Sequence, residues 1–315
     1  MQVIKGFDAG KEALDRGSLR VWDSATPEVL DRIEKLFDEH LTPREVVGRI
    51  LDAVRWRGDS AVLGYTSMID GVELESLEVS KAKMKQAYDG ISTDLRNAME
   101  TVKTRVRSFH EACLPQTWID ETTGLGEQFT PMARAGVYAP GGLAAYPSSV
   151  LMTVVPAKVA GVGEVILATP SGSESGPNQT VLAAAYIAGV DRVFQMGGAQ
   201  AIAAMAFGTE SVPKVDIVCG PGNIFVTLAK QMVYGEVAVD GLYGPTETLL
   251  IADESADAVL CAADLLAQAE HDALASPIFI TTSETVLTRV VEQVTKQLEM
   301  LPKRKIAAAA LEGQG

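Results

Sequence analysis

Histidine is scarce in this chain, with only His40, His110 and His271 among 315 residues. His40 and His110 fall near the ends of helical stretches, where a cation suits the carbonyl end, and neither has a ligand-type partner at a useful spacing. Both read as structural, which leaves His271. Basic residues are outnumbered as well: 27 Lys and Arg stand against 41 Asp and Glu, a formal net charge of −14, which excludes a nucleic-acid-binding surface. No apolar run reaches the roughly 18 residues of a spanning helix, and the N-terminal MQVIKGFDAGKEALDRG has no basic segment leading into an apolar core, so nothing indicates a membrane or secretory role. The three cysteines, Cys113, Cys219 and Cys261, show no paired spacing. They fit free thiols in a reducing cytoplasm and are expected to be small buried apolar residues. A GxGxxG fingerprint is missing, as are internal repeats. The Ala-rich end from Lys305 to Leu311 comes nearest to low complexity and reads as a helix cut short by Gly313-Gln-Gly315.

What is present is a 47% apolar, 22% charged chain long enough for about two domains. From Thr26 to Met68, apolar residues at helical spacing predict two helices, starting at Thr26-Pro27 and Thr42-Pro43. Ser80 to Ala112 predicts one or two more, broken around Gly90 to Thr93, and the polar stretch Trp118 to Arg134 reads as a crossing between domains. Beyond Ala135, strands and helices alternate. Strands are expected at Ala135–Ala139, Val165–Ala168, Arg192–Gln195, Val215–Cys219 and Val237–Val239, with helices between them. A further strand, helix, strand and helix follow from Thr248 to Met300. The fold class is therefore α/β, with mostly parallel sheets covered on both faces and Rossmann-like in type.

Glycines follow three of the strands, at Gly141-Gly142, Gly197-Gly198 and Gly220-Pro221-Gly222. In open parallel sheets ligands sit at the carboxyl ends of strands, so three such turns converging would make a nucleotide crevice. Ser148 and Ser149 add hydroxyls near a helix start that favours anions. From the glycines alone, an ordinary strand-to-helix turn explains the first pair better than a nucleotide site. Further on, Gln268 and His271 lie three apart on an expected helix from Asp257 to His271, so their side chains share a face, as a chelating pair must, with Asp264 on the same stripe. Glu270 and Asp272 point off it. A surface or capping pair is the competing reading, because glutamine is an unusual zinc ligand.

The wording of these stretches resembles the histidinol dehydrogenase family. Tyr138-Ala-Pro-Gly-Gly142, Tyr146-Pro-Ser-Ser-Val-Leu-Met152 and Pro156-Ala-Lys-Val-Ala-Gly161 carry the likeness first. It continues through Gly197-Gly-Ala-Gln-Ala-Ile-Ala203, Phe207-Gly-Thr-Glu210, Pro213-Lys-Val-Asp216, Gly220-Pro-Gly-Asn223, Gly244-Pro-Thr-Glu247 and Asp264 to Asp272. Arg57-Gly58-Asp59 and Ile69-Asp70-Gly71 match more weakly.

The resemblance implies two Rossmann-like domains, the first discontinuous and preceded by N-terminal helices: residues 1–132 and 241–315 for the first, 133–240 for the second. It also implies NAD bound by Tyr138, Gln200 and Asn223, whose plainer readings are a core tyrosine and two helix caps. One zinc ion per subunit would be held by Gln268 and His271, and L-histidinol would contact Thr246, Gln268 and His271, Thr246 standing where the family usually has serine. The implied reaction oxidises L-histidinol through bound L-histidinaldehyde to L-histidine with two NAD, in a cytoplasmic homodimer. No general acid or base is assigned, because the family's Glu-His pair and remaining zinc ligands are expected beyond Gly315. The sequence is accordingly expected to be a fragment or a shortened, non-catalytic homologue. A relative acting on another small alcohol is the other alternative.

Overall fold

The computed structural model describes residues 2–15, 25, 27–141, 145–172, 176–244 and 246–313. Thr26, Gly142, Gln314 and Gly315, named above as expected helix start, turn and terminal break, lie outside these residues. The chain divides into two compact units, Val21–Leu242 and Met1–Arg20 with Tyr243–Gly315.

The larger unit is built on strands β1 (Glu78–Val79), β4 (Arg134–Tyr138), β5 (Glu164–Thr169), β6 (Arg192–Gln195), β7 (Ile217–Cys219) and β8 (Ala238–Val239), with a separate exposed hairpin of β2 (Trp118–Asp120) and β3 (Leu125–Glu127). The six pair in the order β1-β6-β5-β4-β7-β8, parallel throughout except where β1 meets β6. Strand β5 explains why such a sequence must be sandwiched. Its alternate residues Val165 and Leu167 enter one buried cluster, while Ile166 and Ala168 enter another. Each side therefore needs its own cover of helices, and the strand reads as a continuous apolar run. On one face lie the helices Pro43–Arg57, Gly198–Phe207 and Ile224–Val233; on the other lie Lys81–Gly90, Thr93–Ala112, Pro147–Val159 and Gln179–Ala188.

Three helices rather than two occupy the N-terminal stretch: Pro27–Phe37, Pro43–Arg57 and Asp59–Asp70. The break comes from Gly58, whose φ of 53° ends one helix and begins the next. Thr42 starts the middle helix with a reciprocal cap, its hydroxyl accepting from the Glu45 N–H at 3.3 Å while the Glu45 carboxylate accepts from the Thr42 N–H at 2.8 Å. Thr42→Ala is expected to lower unfolding free energy by about 1 kcal/mol, read as a lower denaturant midpoint at unchanged slope.

Two stretches noted for family likeness turn out to interlock. The Asp59 N–H donates to Glu210 at 2.7 Å, the Thr209 hydroxyl donates to Asp59 at 2.5 Å, and Arg55 lies 4.1 Å over the Phe207 ring. Such contacts place the N-terminal helices with the six-stranded sheet. Ile33, Val46, Ile50 and Val62 share a buried cluster with Met205 and Val218, within the compact unit Val21–Leu242. Trp118 to Arg134 does not cross between units; it carries the hairpin and stays within the larger one. Cys261 is buried as expected, but Cys113 is exposed, since it caps the solvent-facing end of Thr93–Ala112.

The smaller unit pairs β9 (Glu247–Ala252) in parallel with β10 (Ser276–Thr281) through the helix Ala258–Ala269. The helices Glu284–Leu298 and Arg304–Gly313 complete its core with Leu265, Leu266, Val290 and Leu311. It is a second parallel α/β element, in keeping with the expected fold class.

Candidate functional site

Four strand ends of the larger unit open on one cleft of about 560 Å³, a volume in the range of small-molecule sites. At the end of β4 come Tyr138 and Gly141, after β5 Pro170 to Gly172, after β6 Gly197 to Gln200, and after β7 Asn223. Here the chain order reverses direction across the sheet, with β5 and β6 on one side of β4 and β7 and β8 on the other. A ligand crevice belongs at such a switch point. The N-terminal helices line the cleft with Ile33, Leu36 and Phe37, beside Phe225, and also with Arg32 and Asp70.

Tyr138, Gln200 and Asn223 are thus brought together, each at a strand-to-helix junction. Tyr138 is buried, and its hydroxyl accepts the Gly198 N–H at 3.2 Å. Burial pushes that phenol up to about 12, so it acts as a neutral group. Asn223 caps the helix Ile224–Val233, its carbonyl oxygen accepting from the N–H groups of Phe225 and Val226 at 3.1 and 3.2 Å. Capping uses one end of that amide, and the NH₂ end is a donor still to be placed. Gln200 is the most telling of the three. It is 0% exposed, yet neither its Nε2 nor its Oε1 has a hydrogen-bond partner. An orphaned buried amide costs roughly 1–3 kcal/mol, so the fold pays for a donor and an acceptor kept in waiting at the cleft. A nucleotide cofactor, rich in both, fits that need.

The turn carrying Asn223 is held from behind. Gly220 has a φ of 117°, and a Cβ on it would stand 2.1 Å from the Tyr138 carbonyl oxygen, so only glycine passes there. The Lys230 ammonium, 2% exposed, donates to the Gly220 carbonyl at 3.0 Å and pairs with Asp240, whose other oxygen accepts the Gly220 N–H at 2.8 Å. Sequence reading passed over both, although a lysine inside the apolar helix IFVTLAKQMV is a usable signal. Ser148 and Ser149 do not line the cleft.

Thr246, Gln268 and His271 belong to the smaller unit. Thr246 is exposed just ahead of β9, its carbonyl accepting from the Ser276 N–H at 3.0 Å. Gln268 is half-buried near the end of its helix. His271 is not on that helix, which stops at Ala269, but in the turn beyond, with its N–H donating to the Gln268 carbonyl at 3.2 Å. Just beyond, Asp272 accepts the Leu274 N–H at 2.8 Å in an Asx turn. Because a crossover helix runs back along its strands, all three residues lie toward the amino end of the two-stranded sheet.

As a metal site the donor set is incomplete. Tetrahedral zinc takes four ligands, and among the described residues no group of three or more His, Cys, Asp or Glu is arranged to hold a metal. Gln268 and His271 are two donors of the four that such a site takes. Among the other histidines, His40 is exposed and pairs with Glu34 at 3.2 Å, and His110 packs edge-on to Phe109. No helix among the described residues is long and apolar enough to cross a membrane.

A family model described as histidinol dehydrogenase matches residues 36–315. A histidinol dehydrogenase of Dehalococcoides mccartyi (strain ATCC BAA-2266 / KCTC 15142 / 195) is 45% identical over 319 residues, covering 100% of this chain and 72% of that protein. One from Parasynechococcus marenigrum is 51% identical over 278 residues, covering 86% of this chain and 64% of that protein. The crystal structure of histidinol dehydrogenase from Elizabethkingia anophelis aligns with a TM-score of 0.82 at 37% identity, covering 87% of this chain and 64% of that one. The chain therefore matches between 64% and 72% of the length of these proteins.

Proposed function

Because the chain belongs to the histidinol dehydrogenase family of oxidoreductases, we propose that it serves the NAD-dependent oxidation of L-histidinol through L-histidinaldehyde to L-histidine, the last steps of histidine biosynthesis, in the cytoplasm and as a homodimer. Tyr138, Gln200 and Asn223 bind NAD at the switch-point cleft. NAD supplies the hydride acceptor, and this chain's own residues orient it. The buried Gln200 amide, with a donor and an acceptor both unpartnered beside a neutral Tyr138 hydroxyl, is the observation that carries the reading.

Thr246, Gln268 and His271 bind the amino alcohol, and Gln268 and His271 contribute two ligands to a zinc ion whose other donors come from elsewhere. Gln268 and His271 would hold that ion beside the amino alcohol, where it would supply Lewis-acid chemistry. No residue here is given the role of general base.

Calorimetric titration of the 315-residue chain tests these roles without requiring turnover. NAD is expected to bind saturably at one site per chain, and L-histidinol to bind only with zinc added, the latter being lost in His271→Ala. An absence of NAD binding overturns the cofactor assignment, and zinc-independent histidinol binding overturns the metal assignment.

A further inference from the structure

The NAD cleft holds a carboxylate to which the family resemblance gave no role. Asp70 is the last residue of the helix Asp59–Asp70, immediately before Gly71, whose φ of 69° closes the helix. A negative charge at that end opposes the helix dipole, where lysine or arginine belongs. The helix therefore gains nothing from the aspartate.

Asp70 lines the cleft, and its Oδ2 is buried without a hydrogen-bond partner. That oxygen lies 3.4 Å from where a Cβ on Gly197 would stand, at the mouth of the helix Gly198–Phe207. The Arg32 guanidinium, on the same lining, donates to the Ile69 carbonyl at 3.3 Å rather than to that oxygen. The Tyr138 hydroxyl accepts from the Gly198 N–H and makes no bond to that oxygen. Burial pushes the Asp70 carboxyl up to about 6, with Arg32 pulling it partly back. It remains mostly ionised near neutrality, as a waiting acceptor.

A buried acceptor calls for a donor. The pyrophosphate of a dinucleotide offers none and would be repelled by like charge. A ribose offers two neighbouring hydroxyls, which the two oxygens of a carboxylate can accept together, the pairing that acidic residues make in other dinucleotide sites. On the reading that this cleft takes NAD, we propose that Asp70 binds the adenosine ribose diol and thereby selects against a cofactor phosphorylated at the 2′ position. Gly197 is part of the arrangement, since a side chain there would touch Asp70 and collide with Pro170 at 2.8 Å.

Calorimetry on the parent chain, Asp70→Asn and Asp70→Ser, with NAD, NADP and nicotinamide hypoxanthine dinucleotide as probes, tests this. The parent is expected to prefer NAD over NADP by at least tenfold. Both variants should bind NAD about tenfold more weakly and narrow the NADP gap, while their melting temperatures stay at or above the parent's. The hypoxanthine analogue, which keeps the ribose but lacks the adenine amino group, should lose affinity in parallel with NAD. Parent-like NAD affinity in both variants overturns the proposal, as does an analogue that binds parent and variants equally, which would move the contact to the adenine amino group. If Gln200→Met abolishes NAD binding while both Asp70 variants keep it, the cofactor site stands and the Asp70 assignment alone falls. If the parent itself binds no NAD, both fall.

Discussion

Replacing Gln200 by methionine is expected to leave the folded chain at least as stable as the parent while weakening NAD binding by roughly 30- to 150-fold, or about 2–3 kcal/mol. Both halves follow from one observation. The Gln200 amide is fully buried and neither polar atom has a partner, so the ligand-free fold carries its desolvation cost with nothing in return. Methionine has similar length and volume and no polar atoms to strand, a substitution that is neutral or stabilising where the polar group was unpaired. With cofactor present, the sign reverses, because cofactor donors and acceptors are then left facing a thioether. Calorimetric melting and cofactor titration on the same preparations read both effects. A clear drop in melting temperature would mean that the amide is satisfied in the ligand-free protein; undiminished affinity would remove it from the site.

The second large effect concerns the support behind the cleft. Asp240→Ala is expected to cost about 3–5 kcal/mol, which for a unit of this size lowers the melting temperature by roughly 6–20 °C. It takes the carboxylate from the Lys230 ammonium, only 2% exposed, and frees the Gly220 N–H that Asp240 holds. The turn carrying Asn223 would loosen with it, so NAD affinity should fall although Asp240 does not line the cleft. Removing the charge from both partners, in Asp240→Asn with Lys230→Met, should restore much of the stability, since paired removal leaves no isolated buried charge. A single variant that melts like the parent would show that the ion pair contributes nothing net.

Much of this was legible in the sequence because periodicity speaks directly to burial. The β-branched run Val165 to Leu167, bounded by glycine and proline, had to be a strand covered on both sides, and it is. Tyr138, Gln200 and Asn223 follow separate strands, and a parallel sheet delivers strand ends to one edge, so their meeting in one cleft was foreseeable. Local pattern failed where long-range contacts decide. Helical spacing runs straight through Gly58, and only the backbone turn there divides the helix. The helix before His271 stops at Ala269, two residues short of the expected end, and an Asx turn at Asp272 follows. Asp70 stood out only within Ile69-Asp70-Gly71, and nothing local says that it opens on a cleft. Lys230 and Asp240 are ten residues apart, and only the returning strand β8 makes them a pair.

The six-stranded sheet is finished at both margins by its shortest members, β1 and β8, of two residues each. On β1, Glu78 is tied down by a two-pronged ion pair from Arg192 at 2.7 and 2.9 Å. A margin that short, closed by a charged clasp, offers another chain too few free amides for stray strand addition. The sheet is thereby protected from fibrous self-association, a safeguard that its oily middle strands, rich in valine and isoleucine, would otherwise lack.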